Sequence, residues 1–180
     1  MPVFEGAEEA IGRILAVRVL ELDVAAWLND GLGRHELPEP VREGLLSNMA
    51  DEARHDAVLT LAASKFRLST QQDDQDAAAL KADWEAHPDH PLVKAFVLEN
   101  AVFFVILPFM RLFGDAALRT VARDIAGDET GHAAFHRQLA IDLKLSYSRS
   151  LDRLRRKTVE WLFSGVKCST PFGNQRKFTP

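Results

Sequence analysis

One five-residue pattern occurs twice in this chain, and it limits the fold more than any other feature of the sequence. "DEARH" covers Asp51 to His55, and "DETGH" covers Asp128 to His132. Both have the form Asp-Glu-x-x-His, and each lies inside a long segment with helical spacing. Residues three apart share one face of a helix. Each motif therefore presents a carboxylate and an imidazole on the same side, a combination that suits iron or manganese.

The repetition of this motif is hard to ascribe to chance. In a chain of 180 residues with 6 His, about 0.4 matches of Glu-x-x-His are expected at random. The requirement of a preceding Asp lowers that expectation to about 0.03. Two such matches, each in the middle of a predicted helix, therefore indicate a common function.

Helical spacing dominates the chain, and alternating strand patterns are scarce. The spacing predicts helices over residues 7–29, 38–66, 75–86, 92–113, 115–145 and 149–163. This is an all-α chain in which a crossover joins two long antiparallel hairpins, one of the four-helix-bundle connectivities. The simplest organisation for 180 residues is one domain. We expect the bundle at about 8–145, followed by a C-terminal helix and tail at 146–180.

Two further carboxylates are predicted at the level of the motifs. In an antiparallel hairpin, residues equally far from the turn lie at similar depth. Glu99 and Glu129 are equally far from the predicted turn at residue 114, and Glu21 and Glu52 are equally far from a point in the loop at 30–37. Glu99 also has apolar helical neighbours, and burying a lone carboxylate there would be costly without a cation. The rivals to Glu21 are Asp23, Glu8 and Glu9.

This set of residues resembles the ligand set of the ferritin-like di-iron carboxylate superfamily, which has two single Glu and two Glu-x-x-His on four helices. The resemblance covers about residues 8–145 and implies a ferritin-like four-helix bundle. The metal ligands that it implies are Glu21, Glu52, His55, Glu99, Glu129 and His132. Asp51 and Asp128 match acids that orient a ligand His of the opposite motif. A carboxylate that accepts the other imidazole N–H fixes the metal-binding tautomer.

The resemblance also implies a reaction. The expected cofactors are two Fe ions, or a Mn/Fe pair, with O2 as co-substrate, and the expected activity is oxidation of a small apolar organic substrate. "ENAVFF" after Glu99 resembles the small subunit of ribonucleotide reductase, but Leu59 stands where a radical Tyr is typical. Rubrerythrin-like electron transfer is disfavoured because the chain has one Cys. Two alternatives stay open: a ferritin- or bacterioferritin-like ferroxidase, and a non-catalytic helical interaction bundle.

Composition limits the partners and the location. A net charge of -4 argues against a general nucleic-acid-binding surface. The most apolar run, 95–110, is short for a membrane span and contains Glu99 and Asn100. The start "MPVFEGAEEA" lacks a secretory signal pattern. We therefore expect a cytoplasmic protein whose partners are a small-molecule substrate, an electron-donor protein and a second copy in a homodimer.

Several other reactive or charged residues are interpreted as structural. His136 lies one turn after His132 and is expected to be a core histidine with its hydrogen bonds satisfied, with an outer position around the metal as the alternative. The Phe-rich segment 96–113 is expected to form core, or else to line an apolar substrate pocket. The basic residues of 149–157 are expected to form a solvated helix face, and Cys168 has no evident partner.

Overall fold

A computed structural model describes residues 6–165 of the chain. These residues are helical nearly throughout and contain no strand, which confirms the all-α prediction. The elements in chain order are α1 (Glu8–Val17), a 3-10 turn (Arg18–Leu20), α2 (Glu21–Arg34), α3 (Glu39–Phe66), α4 (Gln71–Ala86), α5 (Pro91–Leu98), a π-helical segment (Glu99–Phe103), α6 (Phe104–Phe113), α7 (Ala116–Asp142) and α8 (Arg149–Phe163).

The long helices pack as two hairpins. In the first hairpin α1 and α2 lie against α3, and in the second α6 lies against α7. The hairpins meet where α2 contacts α5 and α3 contacts α7. Between them in sequence, α4 crosses over and packs on α1, while α8 packs on α1, α4 and α5. This arrangement is compatible with a four-helix bundle.

The first helical stretch is longer than the sequence predicts. The spacing predicts an end at residue 29, but α2 continues to Arg34, past Gly31 and Gly33. A Cβ atom at Gly31 would collide with the side chain of Leu92. The glycine therefore permits close packing of α2 on α5, and its packing role outweighs its tendency to break a helix. The prediction of a helix end at residue 29 is wrong for this reason.

The ends of α4 and α7 are set by local capping contacts. The predicted start of the crossover helix, residue 75, is wrong, because Thr70 and Asp73 form a capping box and α4 begins at Gln71. The predicted cap at Asp115 is confirmed, since its carboxylate accepts the N–H of Leu118 at 2.9 Å. The other end of α7 lies at Asp142, three residues before the predicted end at 145.

One helix in the described part of the chain, Pro91–Phe113, is long and apolar enough to cross a membrane by length and composition. In the fold, 61% of its most apolar window is buried. The core helix of a soluble protein has the same properties, so they are weak evidence for a membrane span. The burial agrees with the interpretation of this segment as core.

The last helix has one polar and one apolar side. Arg155 and Arg156 both contact Asp152, and Lys157 contacts Asp83 at 2.7 Å. These ion pairs agree with a solvated basic face. The apolar side packs on the rest of the fold through Leu151, Leu154 and Leu162. Cys168 and the predicted tail lie outside the described residues.

Candidate metal centre

The structure brings the six predicted ligand residues together in the interior. Glu21, Glu52, Glu99 and Glu129 are each at most 2% exposed, and His55 and His132 are 3% and 9% exposed. They come from four different helical segments: α2, α3, the π-helical segment and α7. The two hairpins therefore contribute to one cluster, as the hairpin geometry predicts.

The ligand atoms of this cluster form two overlapping sets. The first set is Glu21, Glu52 and His55, and the second is Glu52, Glu99 and His132; within each set the atoms lie within 4.8 Å of one another. Glu52 belongs to both sets. Oε1 of Glu129 lies 3.4 Å from Nδ1 of His55 and 3.8 Å from Nδ1 of His132. Each of these groups could hold a metal ion.

The aspartates of the two motifs contact the histidines in a crossed pattern. Nε2 of His55 lies 3.2 Å from Asp128, and Nε2 of His132 lies 3.0 Å from Asp51. Each acid accepts the Nε2 proton, so that each Nδ1 directs its lone pair toward the glutamates. Arg54 contacts both Asp51 and Asp128. The Asp of each motif therefore contacts the His of the other.

The chemistry of the cluster fits a cation. Buried polar atoms are normally hydrogen-bonded, yet the atoms of this cluster are rich in lone pairs and poor in donors. Within residues 6–165, the buried cluster atoms without a hydrogen-bond partner are Glu21 Oε2, Glu52 Oε2, Glu99 Oε2, both Glu129 carboxylate oxygens and His55 Nδ1. A cation bound by one of the two ligand sets would contact several of these residues at once, whereas a further donor side chain would satisfy only one or two.

Burial and mutual repulsion disfavour ionised carboxylates in this cluster. Burial raises the pKa of the Glu21 carboxyl well above its ordinary value, and the neighbouring Glu52 raises it further. Burial likewise raises the pKa of Glu99, with added repulsion from Glu52 and Glu129. The pKa of Glu129 is raised by burial, although His132 opposes the change. Protons or cations must therefore neutralise part of the charge.

Burial and nearby negative charge act in opposite directions on the pKa values of His55 and His132. Burial alone would lower the pKa of His55, but the carboxylates of Glu52 and Asp128 outweigh it, so the pKa of His55 is raised. Burial also works against the charged form of His132, and Glu129 and Asp51 raise its pKa overall. Both imidazoles thus lie in a strongly negative environment, which favours cation binding.

Glu21 occupies the fourth carboxylate position. Arg18 could have paired with it at the surface, but the Arg18 side chain instead donates to Thr60 Oγ1 and to the carbonyl of Leu15. The three sequence-based rivals have other partners: Asp23 contacts Lys81, Glu9 contacts Arg13, and Glu8 accepts the backbone N–H of Gly6. The structure therefore places Glu21 in the cluster and leaves the rivals out of it.

Asn48 also belongs to the cluster and was not predicted. It is fully buried, and its Nδ2 lies 2.8 Å from Glu52 Oε1 and 3.0 Å from His132 Nδ1. Its spacing could have revealed it, because Asn48, Glu52 and His55 are four and three residues apart and share one face of α3. An uncharged amide is a weaker sign of a metal site than a carboxylate, so the sequence alone does not single out Asn48.

His136 is closer to the cluster than the sequence suggests. It is fully buried, it stacks on Phe96 with ring centroids 4.2 Å apart, and its Nε2 lies 2.6 Å from Asn48 Oδ1. Its Nδ1 lies 2.7 Å from Glu99 Oε2. Among residues 6–165, neither of these two atoms makes a hydrogen bond. Burial, with the nearby His132, lowers the pKa of His136 to about 3. The expectation of a fully satisfied core histidine holds for one of its two nitrogens.

Glu99 is the first residue of a π-helical segment, Glu99–Phe103. The sequence predicts one ordinary helix over 92–113. A π turn inserts an extra residue and rotates the following helical face, and such turns are frequent at functional sites. Here the π turn begins at Glu99, which is fully buried. The next residue, Asn100, is exposed, and its side chain donates to the carbonyl of Phe96 at 2.8 Å. Periodicity alone does not distinguish this segment from α-helix.

One surface cavity is lined by a residue of the cluster, and another is lined by the neighbouring His136. One, of about 360 Å³, is lined by Glu129 and by mainly apolar neighbours: Phe104, Leu107, Pro108, Ala126 and Gly127, with Thr130, Arg111 and Arg123. The other, of about 440 Å³, touches His136 and is lined also by Phe96, Asn100, Ala133, Ala134, Arg137 and Ala140. Small molecules could therefore approach the cluster beside Glu129 or beside His136.

Replacement of Glu99 with Gln should separate metal binding from folding. We expect the variant to bind markedly less metal, because one anionic donor of the second set is lost. The melting temperature of the metal-free variant should stay within about 2 °C of the wild-type value, since a buried carboxyl with a raised pKa is already largely neutral and Gln resembles it. Elemental analysis and thermal melts measure the two effects. Glu36→Gln, at an exposed position, is the control, and normal metal binding by Glu99→Gln would exclude Glu99 as a ligand.

A scan against protein-family models found no match, and searches of curated proteins and of solved structures found none either. An all-helical chain holds buried Glu and His side chains that could bind a metal ion, in an arrangement compatible with a ferritin-like fold.

Proposed function

We propose that this chain is a dinuclear metal carboxylate oxidoreductase with a ferritin-like four-helix bundle. It would use two iron ions, or a Mn/Fe pair, to activate O2 and oxidise a small apolar organic substrate. The observation that carries the proposal is the pair of buried ligand sets that share Glu52. A single structural metal needs one such set, whereas two adjacent sets suit a reaction that needs two electrons at one place.

Each ion would be held by one of the two ligand sets. Glu21, Glu52 and His55 would hold the first ion, and Glu99 and His132, again with Glu52, would hold the second. Glu129 lies between the two imidazoles and can contact either ion. When bound in the reduced form, the pair of ions would supply two electrons to O2, and a protein electron donor would restore the reduced state.

The rest of the chain would orient these ligands and exclude water. Asp51 and Asp128 accept the Nε2 protons of His132 and His55 and so keep each Nδ1 turned inward. The carboxylates are buried, so bulk water has little access to the centre. Low exposure strengthens the electrostatic contacts among these groups.

The cavity beside Glu129 supports an apolar substrate. Its wall contains Phe104, Leu107 and Pro108, with Arg111 among its lining residues. A volume of about 360 Å³ lies within the range of small-molecule sites. Its contact with Glu129 would put a bound molecule next to the ions. The apolar wall that α6 provides thus suits an organic substrate better than the passage of metal ions.

An O2-reaction experiment tests this proposal. The full chain is loaded anaerobically with Fe(II), mixed with O2-saturated buffer, and followed by an oxygen electrode and stopped-flow absorbance. We expect Fe(II) oxidation faster than that of free Fe(II), because two ions act together, with iron uptake ending at about two per chain. Size-exclusion chromatography should show a monomer or dimer.

Other outcomes would favour the alternatives. Continued uptake of many irons per chain by a large hollow assembly would establish iron storage through a ferroxidase centre. Metal binding without any reaction with O2 would show a metal-stabilised helical protein and contradict the enzyme. A chain that binds no metal would support the non-catalytic interaction bundle.

A further inference from the structure

The side-chain amide of Asn48 lies among the three residues of the second ligand set. Its Nδ2 is 2.8 Å from Glu52 Oε1, 3.0 Å from His132 Nδ1 and 3.4 Å from Glu99 Oε1. One nitrogen therefore contacts every residue of the set. An amide nitrogen only donates hydrogen bonds, so it uses the same lone pairs that a cation would need.

The lone pair of His132 makes this competition strict. Nε2 of His132 carries the proton that Asp51 accepts, at 3.0 Å. The neutral imidazole then has a single in-plane lone pair, on Nδ1. That lone pair can accept from Asn48 or bind a cation, but it cannot do both. A cation at the second set must therefore displace the Asn48 amide.

In the first ligand set, the amide is hydrogen-bonded only to Glu52, the residue that the two sets share. His55 Nδ1 and Glu21 Oε2 have no hydrogen-bond partner among residues 6–165. A cation can bind these atoms without breaking a hydrogen bond to them. The two sets share Glu52 and have the same kinds of ligand, so the amide is the clearest difference between them.

The oxygen of the Asn48 amide is also hydrogen-bonded. Its Oδ1 is 2.6 Å from Nε2 of His136, and the His136 ring stacks on Phe96. These contacts fix the direction in which the amide points. Displacement of the amide therefore requires rotation against a packed and hydrogen-bonded neighbour, which adds to the cost of binding at the second set.

We propose that Asn48 is an internal competitor for the second metal ion, so that the two sets are loaded in sequence, Glu21–Glu52–His55 first and Glu52–Glu99–His132 second. This inference rests on the proposed dinuclear centre and adds an order and a difference in affinity to it. Ordered loading gives the chain a means of placing two different metals in adjacent sites, as a Mn/Fe pair requires.

Calorimetric titration of the chelator-treated full chain with Zn²⁺, a redox-inert and diamagnetic probe, tests the inference. We expect two binding steps in the wild type. In Asn48→Ala the second step should tighten about tenfold, which corresponds to about 1.4 kcal/mol, while the first should change less than about threefold. The gain is expected because binding no longer breaks the hydrogen bonds of the amide to Glu52 and His132. Asn29→Ala is the matched control, since Asn29 is an exposed asparagine of α2, and both its steps should match the wild type.

A second measurement uses the wild-type chain and does not depend on the folding of a variant. In a ¹⁵N-labelled sample, the side-chain amide signal of Asn48 should move only slightly during the first equivalent of Zn²⁺, which binds the shared Glu52, and much more during the second. A shift during the first equivalent as large as that during the second would overturn the order of loading. An unchanged or weakened second step in Asn48→Ala would overturn the competition while leaving the dinuclear centre intact. If the wild type bound no Zn²⁺, both the centre and the competition would be wrong.

Discussion

Replacement of both His55 and His132 with Ala is expected to remove nearly all bound metal, from about two ions per chain to about none. Each histidine is the only nitrogen donor of its ligand set. Without them, the buried carboxylates would have to hold the ions alone, and the crossed contacts with Asp51 and Asp128 would be lost. Elemental analysis of the purified, desalted chain measures this effect, with circular dichroism to verify that the variant is helical.

The chain offers a second histidine pair as a matched control. Nε2 of His35 and Nε2 of His90 lie 3.1 Å apart, and neither residue belongs to a ligand set. His35→Ala/His90→Ala therefore removes the same number of imidazoles, and we expect it to retain the full metal content. Stoichiometric metal in the His55/His132 variant, or its loss in the control, would contradict the assignment of the centre.

Metal binding is also expected to stabilise the fold strongly. A ligand present at 1,000 times its Kd adds about 4.1 kcal/mol to the free energy of unfolding when it binds the native state only. For a chain of this size, each kcal/mol raises the melting temperature by about 2–4 °C. We therefore expect an increase of roughly 8–16 °C, measured by scanning calorimetry or fluorimetry with and without metal.

The size of this increase should depend on pH. In the metal-free protein the pKa values of Glu21, Glu99 and Glu129 are raised, and so are those of His55 and His132. The folded state then binds more protons than the unfolded state, so this stabilisation is present at low pH and is lost as pH rises through the raised pKa values. His136, with its pKa lowered to about 3, acts in the opposite sense, but its contribution is constant once pH exceeds its ordinary value of 6.5.

Above pH 6.5, the ordinary histidine value, the metal-free protein should therefore melt at progressively lower temperature as pH rises. The metal-loaded protein should not, because cations replace the protons that neutralise the carboxylates. The difference between the two melting curves should widen with pH. Two results would contradict the coupling between metal binding and stability. One is a metal-free melting temperature that rises with pH, and the other is a melting temperature that metal does not change at any pH. In the His55/His132 variant the metal effect should disappear.

The hairpin geometry was predictable although several helix ends were not. Glu21 and Glu52 flank a loop between α2 and α3, and the loop lies midway between them even though α2 ends at Arg34 instead of Asn29. Errors at a helix end do not change the distance of two residues from the turn along the chain. Gly31 shows why the ends themselves fail: its effect depends on Leu92, which lies far away in sequence.

The sequence by itself determined the helical class of the chain and the residues that share a face, because both follow from spacing along one helix. It also singled out Glu99, since a carboxylate among apolar neighbours needs a partner. Only the tertiary structure decided how the helices are rotated and offset against one another. The contacts of Asn48 with His132 and His136 join α3 to α7, and the π turn after Glu99 changes the helical register. Contacts between helices depend on these rotations and offsets, which no local pattern of residues contains.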